Sequence, residues 1–234
     1  MRLLSPVLRT IRSYVRRAGR MTPKQASALN ENSAFYSLDL ASGSLLNLNQ
    51  IFGREAPKIL EIGFGMGQSL AQMALNQPEH DFLGLEVHRP GLGALVAHAK
   101  ELGLTNLRVI EADAVKVLNE HVAEQSFDKI QIFFPDPWPK KRHHKRRLIQ
   151  PDFVDLLCTR LKPNGYLHLA TDWQDYALQM MTVLSNKPEL KNTAGCGIYA
   201  INTGRPETKF ERRGRNLGHS IWDLVFIKTP PEAD

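Results

Sequence analysis

Leu60-Glu61-Ile62-Gly63-Phe64-Gly65-Met66-Gly67 closes the β-type run Lys58 to Ile62 and opens onto a helical pattern beginning near Gln68. This passage from strand to helix through three glycines decides the fold. A residue without a Cβ lets the backbone turn tightly and approach a ligand closely. The spacing Gly-x-Gly-x-Gly departs from the Gly-x-Gly-x-x-Gly of dinucleotide-binding folds, and an acid, Glu61, stands two positions before Gly63. A carboxylate repels a pyrophosphate, whereas it holds an ammonium through a charge-assisted hydrogen bond. The loop therefore favours a ligand with a cationic group, and a tight turn that binds nothing is the plainer alternative.

Outward from the loop, short β-rich runs alternate with helical stretches, as in a parallel sheet covered on both faces. The runs are Lys58 to Ile62, Asp81 to Glu86, Leu107 to Glu111, Lys129 to Phe134, Tyr166 to Ala170 and Ser220 to Ile227. Helices are predicted at Gln68 to Asn76, Gly91 to Leu102, Ala114 to His121, Pro151 to Leu161 and Trp173 to Ser185, with a turn at Asn164-Gly165. The pattern predicts a doubly wound, mostly parallel α/β sheet over residues 51–234. Residues 1–50, rich in Arg, Ser and Asn, read as a basic N-terminal arm with short helical turns around Leu3 to Val15 and Pro23 to Leu29.

Acids recur where such sheets bind ligands. Glu86 and Asp113 end the second and third runs, where a carboxylate meets a ribose diol or an adenine amino group. Asp136 follows the fourth, inside Pro135-Asp136-Pro137-Trp138-Pro139, and the prolines stiffen that turn. Taken singly, each acid reads as a solvated strand end or a helix cap. Glu61, Glu86, Asp113 and Asp136 together end four consecutive strands and converge on one edge. S-adenosylmethionine, a cation with a ribose and an adenine, meets that description. Asp172 ends the next run and reads evenly as a second acid of the site or as a helix cap.

The chain of 234 residues is 42% hydrophobic and 23% charged, with a formal charge of +6. These values bound it as a globular protein with a full core and acidic partners. The cations are bunched. Six Lys and Arg lie within Lys140-Lys141-Arg142-His143-His144-Lys145-Arg146-Arg147, seven precede the first acid, Glu31, and Lys209, Arg212, Arg213 and Arg215 form a third island. A charge run is commonly a solvated face, but adjacency to Asp136 favours binding of phosphates beside a reacting base. Trp138 reads as a base-stacking platform or as packing. Two cysteines, Cys158 and Cys196, lack disulfide or zinc spacing and suggest a reducing cytoplasm. The histidines show no metal-ligand spacing, so no metal is expected, and His168 reads as a sheet residue. No run approaches the roughly 18 apolar residues of a membrane helix.

Leu60 to Gly67, Gly84-Leu85-Glu86-Val87-His88-Arg89-Pro90-Gly91, Phe133 to Arg147, Ala170-Thr171-Asp172-Trp173 and Arg205-Pro206-x-Thr208-Lys209-Phe210-Glu211 resemble the bacterial tRNA (guanine-7-)-methyltransferases, the TrmB family. The resemblance runs from about Ile59 to Phe226. It implies a class I, Rossmann-like methyltransferase fold that uses S-adenosylmethionine to methylate the 7-nitrogen of a guanine in the tRNA variable loop. By the same resemblance Glu61, Glu86, Asp113 and Asp136 line the cofactor site, with Asp136 also catalytic. Lys140, Asp172 and Thr208, Lys209, Phe210 and Glu211 match substrate-contacting positions. Monomer and homodimer are both compatible with the sequence. A methyltransferase acting on an exocyclic amine is expected to carry an Asn- or Asp-Pro-Pro-aromatic turn, unlike Pro135 to Trp138. A nicotinamide dehydrogenase lacks this glycine spacing, and a non-catalytic RNA-binding protein leaves the converging acids without a purpose.

Overall fold

The computed structural model describes residues 13–14, 19–41, 43–207, 211–212 and 220–230. Its centre is a seven-stranded sheet made of β1 (Lys58–Ile62), β2 (Asp81–Glu86), β3 (Leu107–Glu111), β4 (Phe127–Phe133), β5 (Leu161–Thr171), β6 (Leu190–Asn192) and β7 (Trp222–Lys228). The spatial order is β3-β2-β1-β4-β5-β7-β6, with β1 to β5 parallel, and β7 antiparallel to both β5 and β6. The helices are α1 (Pro23–Tyr36), α2 (Leu48–Phe52), α3 (Gln68–Asn76), α4 (Arg89–Glu101), α5 (Ala114–Glu120), α6 (Pro151–Arg160) and α7 (Gln174–Ser185), and a 3-10 helix spans Lys141–Arg146. The chain leaves β1 toward β2 and β3, then crosses back to β4. That reversal creates a switch point between β1 and β4, where open sheets bind ligands beyond the strand ends.

Strand alternation divides the core in two. Leu60, Ile62, Ile130, Ile132, Leu167, Leu169, Leu224 and Phe226 face α5, α6 and α7 in one cluster. Ile59, Phe82, Leu107 and Val109 face α1, α3 and α4 in the other. The neighbouring strands β4, β5 and β7 present Gln131, His168 and Asp223, all buried, on that second face. These polar residues need partners once removed from water.

Three expectations change at the edges. The helix expected as short turns near Pro23 to Leu29 runs on to Tyr36, burying Ala28, Leu29 and Tyr36 against α4. Ser37 then bridges Val109, and the Leu38 N–H donates to the Val109 carbonyl at 2.9 Å, so this stretch of residues 1–50 covers the open edge of β3. Strand β5 begins earlier than expected, at Leu161. Its register with β4 jumps from Phe127↔Leu161 to Lys129↔Tyr166, and the expected Asn164 turn (φ +63°) lies inside that irregularity. Strand β6 and helix α2, five residues or fewer each, had no periodicity to reveal them.

The glycine loop and α4 are in direct contact. A Cβ on Gly91 would stand 2.0 Å from the Gly65 carbonyl oxygen, and one on Gly67 (φ +75°) would stand 2.6 Å from the Leu95 Cβ. Because both obstacles at Gly91 are backbone atoms of Gly65, Gly91→Ala must push loop and helix apart. Overpacking of this kind costs roughly 1–3 kcal/mol, or about 2–4 °C of Tm per kcal/mol in a chain of this size. Thermal unfolding of Gly91→Ala reads this directly, and an unchanged Tm would mean that the loop yields freely.

Candidate active site

The parallel strands bring the expected acids to one edge, since Glu61, Glu86, Asp113, Asp136 and Asp172 all stand at or just past the carboxyl ends of β1 to β5. Each is held differently. Glu61 is buried, and the Gln131 side-chain amide donates to it at 2.7 Å from the paired position on β4. Burial pushes the Glu61 carboxyl up to about 7, against the Gln131 hydrogen bond and the Lys129 charge, which pull it down. Gln131 also keeps its Oε1 buried without a hydrogen-bond partner. Glu86 accepts the N–H of Gly65 at 2.8 Å and those of Val87 and His88 at 2.7 and 3.0 Å, tying the glycine loop to the end of β2. Asp113 caps α5, accepting from Val115 at 2.9 Å, so its helix-cap reading holds, and the residue also lines a cleft at that edge. Asp172 does not cap α7, because Trp173 takes the N-cap position.

Gly63, Gly65 and Gly67 all adopt positive φ, at +77°, +59° and +75°. At Gly63 nothing lies within 4 Å of where a Cβ would stand, which leaves an open cradle beside β1. Across the switch point the exposed Asp136 sits in a turn whose two flanks, Phe134 (φ +52°) and Trp138 (φ +44°), are aromatic residues in the left-handed region. Such conformations are uncommon for bulky residues and cluster at functional sites.

The basic island is not one surface. In a 3-10 helix residues three apart eclipse, so Lys141 to Arg146 and the Arg147 that ends it present three distinct faces. Arg142 and Lys145, with Lys140 and Lys141, are exposed. His143 and Arg146 turn to Trp138, with the His143 ring edge-on at 5.8 Å and the Arg146 guanidinium 4.4 Å from the ring centroid. The Trp138 N–H donates to the Ser13 carbonyl at 3.0 Å. Trp138 therefore already carries a cation on its face. Desolvation, and then the charges of Arg142, Arg146, Lys140 and Lys145, hold His143 below the ordinary histidine range.

His144 and Arg147 turn inward, and here the sequence reading needs correction. Arg147, expected to touch substrate, is buried. Its guanidinium donates to the Pro137 carbonyl at 2.8 Å, to Gln179 and Asp175 at 2.6 Å each, contacts His144 Nε2 at 3.2 Å, and lies 4.8 Å from the Tyr176 ring centroid. It fastens the Asp136 turn to α7. A cleft of about 830 Å³ opens beside it, lined among others by Ser13, Tyr14, Asp113, Lys145 and Arg146.

A second buried cation flanks the turn from the other side. The Arg205 side chain, 4% exposed, forks onto Asp223 at 2.7 and 2.9 Å, pairs with Glu211, and lies 5.5 and 5.4 Å from the ring centroids of Phe133 and Phe134. His168 completes this group at 2.7 Å from Asp223. Burial pushes His168 below its usual range despite Asp223. Glu211, expected at the substrate, is thus drawn into a buried ion network. Thr208, Lys209 and Phe210 lie outside the described residues. Arg205 and Gln131 carried no role in the sequence reading. The alternation Lys129-Ile130-Gln131-Ile132 did hint at a polar stripe in β4, whereas the partners of Arg205 are set by the fold. Among the described residues no group of three or more His, Cys, Asp and Glu side chains is placed to hold a metal ion, and no helix is long and apolar enough to cross a membrane.

Because Arg147 is buried and multiply hydrogen-bonded, Arg147→Ala should cost roughly 3 kcal/mol or more of stability. Arg142→Ala, at an exposed position, should stay within about 0.5 kcal/mol. Urea unfolding of the two variants separates the roles, and equal stabilities would return Arg147 to the surface set.

Residues 55–224 match the family described as putative methyltransferase. The chain is 55% identical over 220 residues to a tRNA (guanine-N(7)-)-methyltransferase of Paraburkholderia xenovorans, covering 94% of this chain and 84% of that protein. It is 56% identical over 221 residues to the enzyme of the same description from Nitrosococcus oceani, covering 94% and 92%. Among solved structures, the 16S rRNA methyltransferase KamB superposes with a TM-score of 0.59 at 14% identity, covering 80% of this chain and 95% of that one. An antibiotic-related methyltransferase superposes with a TM-score of 0.55 at 18% identity, covering 80% and 94%. The structures speak for the fold and the sequences for the lineage: the chain belongs to the tRNA (guanine-N(7)-)-methyltransferase family.

Proposed function

We propose that this protein transfers a methyl group from S-adenosylmethionine to the 7-nitrogen of a guanine in the variable loop of tRNA. The observation that carries the reading is the pairing, across one switch point, of an open glycine cradle with a rigid carboxylate turn bordered by an exposed cationic face. The residues fit such a cofactor. Gly63 leaves open space where a Cβ would stand, and Glu61 is a buried carboxylate bonded to a neutral amide, the setting of an acid kept for a cation. Glu61, Gly63, Gly65, Gly67, Glu86 and Asp113 would hold the group, which when bound supplies a methyl on a positively charged sulfur.

The 7-nitrogen of neutral guanine carries a free lone pair, so the chain has no proton to remove and positioning dominates. The base gains positive charge as the methyl arrives. Asp136, in a turn stiffened by Pro135 and Pro137, stabilises that charge or orients the base through its ring N–H and exocyclic amine. Lys140, Lys141, Arg142 and Lys145 meet phosphates beside the target, while Asp172 and the stretch Thr208-Lys209-Phe210, which Glu211 follows, complete the substrate side.

Incubation with unmodified tRNA and methyl-labelled cofactor, followed by nucleoside mass spectrometry, is expected to yield labelled 7-methylguanosine. Label on another nucleoside would overturn the target atom. Reversing charge at Lys141 and Arg142 together should weaken tRNA binding and flatten the log–log salt slope by about 2, with cofactor affinity retained. A third outcome concerns Glu61. With its pKa near 7 in the free protein, it is partly protonated at neutral pH, and a cation brought beside it lowers that pKa. Cofactor binding near neutral pH should then release a fraction of a proton, and release should vanish by about pH 8.5, where the group is already ionised. Calorimetry in buffers of different ionisation heat measures this, and buffer-independent enthalpies at neutral pH would remove Glu61 from the cation's site.

A further inference from the structure

We propose that Arg205 is a positioning residue for methyl transfer, holding the aromatic entry of the Asp136 turn in register with the sheet and with Glu211. The inference rests on the reading of Asp136 as the group that meets the base. Arg205 joins three parts of the chain that are distant in sequence. Its Nε and Nη2 donate to the two carboxylate oxygens of Asp223 on β7, its Nη1 donates to Glu211, and its guanidinium carbon lies 5.5 and 5.4 Å from the ring centroids of Phe133 and Phe134. Phe133 ends β4 and Phe134 is the first left-handed residue of the turn, two positions before Asp136. The Phe134 N–H is fixed by the Ala170 carbonyl at 2.8 Å, and its half-buried ring is held between the second core cluster and the guanidinium.

Charge and shape both call for arginine here. Two carboxylates meet one guanidinium in a largely buried space, so loss of the cation would set Asp223 and Glu211 against each other. A lysine restores the charge but neither the bidentate fork nor the flat surface over two rings. Arg205→Lys therefore shifts the turn rather than discharging the cluster. Misplacement of a reacting group by about 1 Å costs on the order of 100-fold in rate.

The test compares Arg205→Lys, Asp136→Asn and the unaltered enzyme in single-turnover methylation with saturating tRNA, alongside cofactor affinity by calorimetry. For Arg205→Lys the rate constant is expected to fall roughly 10-fold to 100-fold while cofactor Kd stays within about twofold. A wild-type rate constant, or a loss of activity matched by an equal loss of cofactor binding, overturns the proposal. If Asp136→Asn itself turns over normally, the reading of Asp136 fails and the positioning role falls with it. A slow Asp136→Asn beside a normal Arg205→Lys defeats the positioning role alone. Should Arg205→Lys not fold, Asp223→Asn loosens the same fork with the guanidinium retained. A smaller fall in rate constant, at unchanged cofactor affinity, is then expected, and a wild-type rate constant again overturns the proposal.

Discussion

The turn from Phe134 to Trp138 is held in a conformation that its residues do not favour. Each left-handed non-glycine residue costs of the order of 1–3 kcal/mol and persists only where its surroundings over-determine it. Here the surroundings are identifiable. Arg147 binds the Pro137 carbonyl from the α7 side, the Ala170 carbonyl binds the Phe134 N–H, and Arg205 lies against the Phe133 and Phe134 rings from the opposite face. Pro135 and Pro137 remove two backbone degrees of freedom between them. The result is a carboxylate, Asp136, displayed to solvent on a support that is buried on both sides.

That support explains the unequal faces of the sheet. On the side of α5, α6 and α7 the middles of the strands are apolar, and the buried charges, Arg108 and the ion pair of Lys58 with Asp81, lie toward the strand starts. The opposite side is apolar only under α1, α3 and α4, and across β4, β5 and β7 it carries Lys129, Gln131, His168 and Asp223. Burying such groups is tolerable where they satisfy one another. Glu61 with Gln131, Asp223 with His168, and Arg205 with Asp223 and Glu211 do so. Lys129, whose pKa is lowered by burial and supported by Glu61 and Asp223, stands between the two groups.

How far the sequence could be read follows the range of each interaction. The runs Lys58–Ile62, Asp81–Glu86, Leu107–Glu111 and Gln68–Asn76 coincide with β1, β2, β3 and α3, because continuous apolar strands and a glycine-initiated helix are local signals. The glycine loop and the edge acids were legible for the same reason. Arg147 was not, since six cations in eight residues look alike until the backbone turns one of them toward Tyr176 and α7. Nor was the pairing of Arg205 with Asp223, 18 residues on, which exists only once β7 has reversed against β5. The extension of α1 over the β3 edge was hidden by an N-terminal composition that reads as solvated.

The 3-10 helix gives one short basic run several different surroundings. With three residues per turn, 142 and 145, 143 and 146, and 144 and 147 fall into separate rows. One row meets solvent, one packs on Trp138, and one is neutralised by Asp175 beneath the turn. The exposed Lys140, Lys141, Arg142 and Lys145 are thereby carried on a run anchored to the Asp136 turn through Arg147, which donates to Pro137, Gln179 and Asp175.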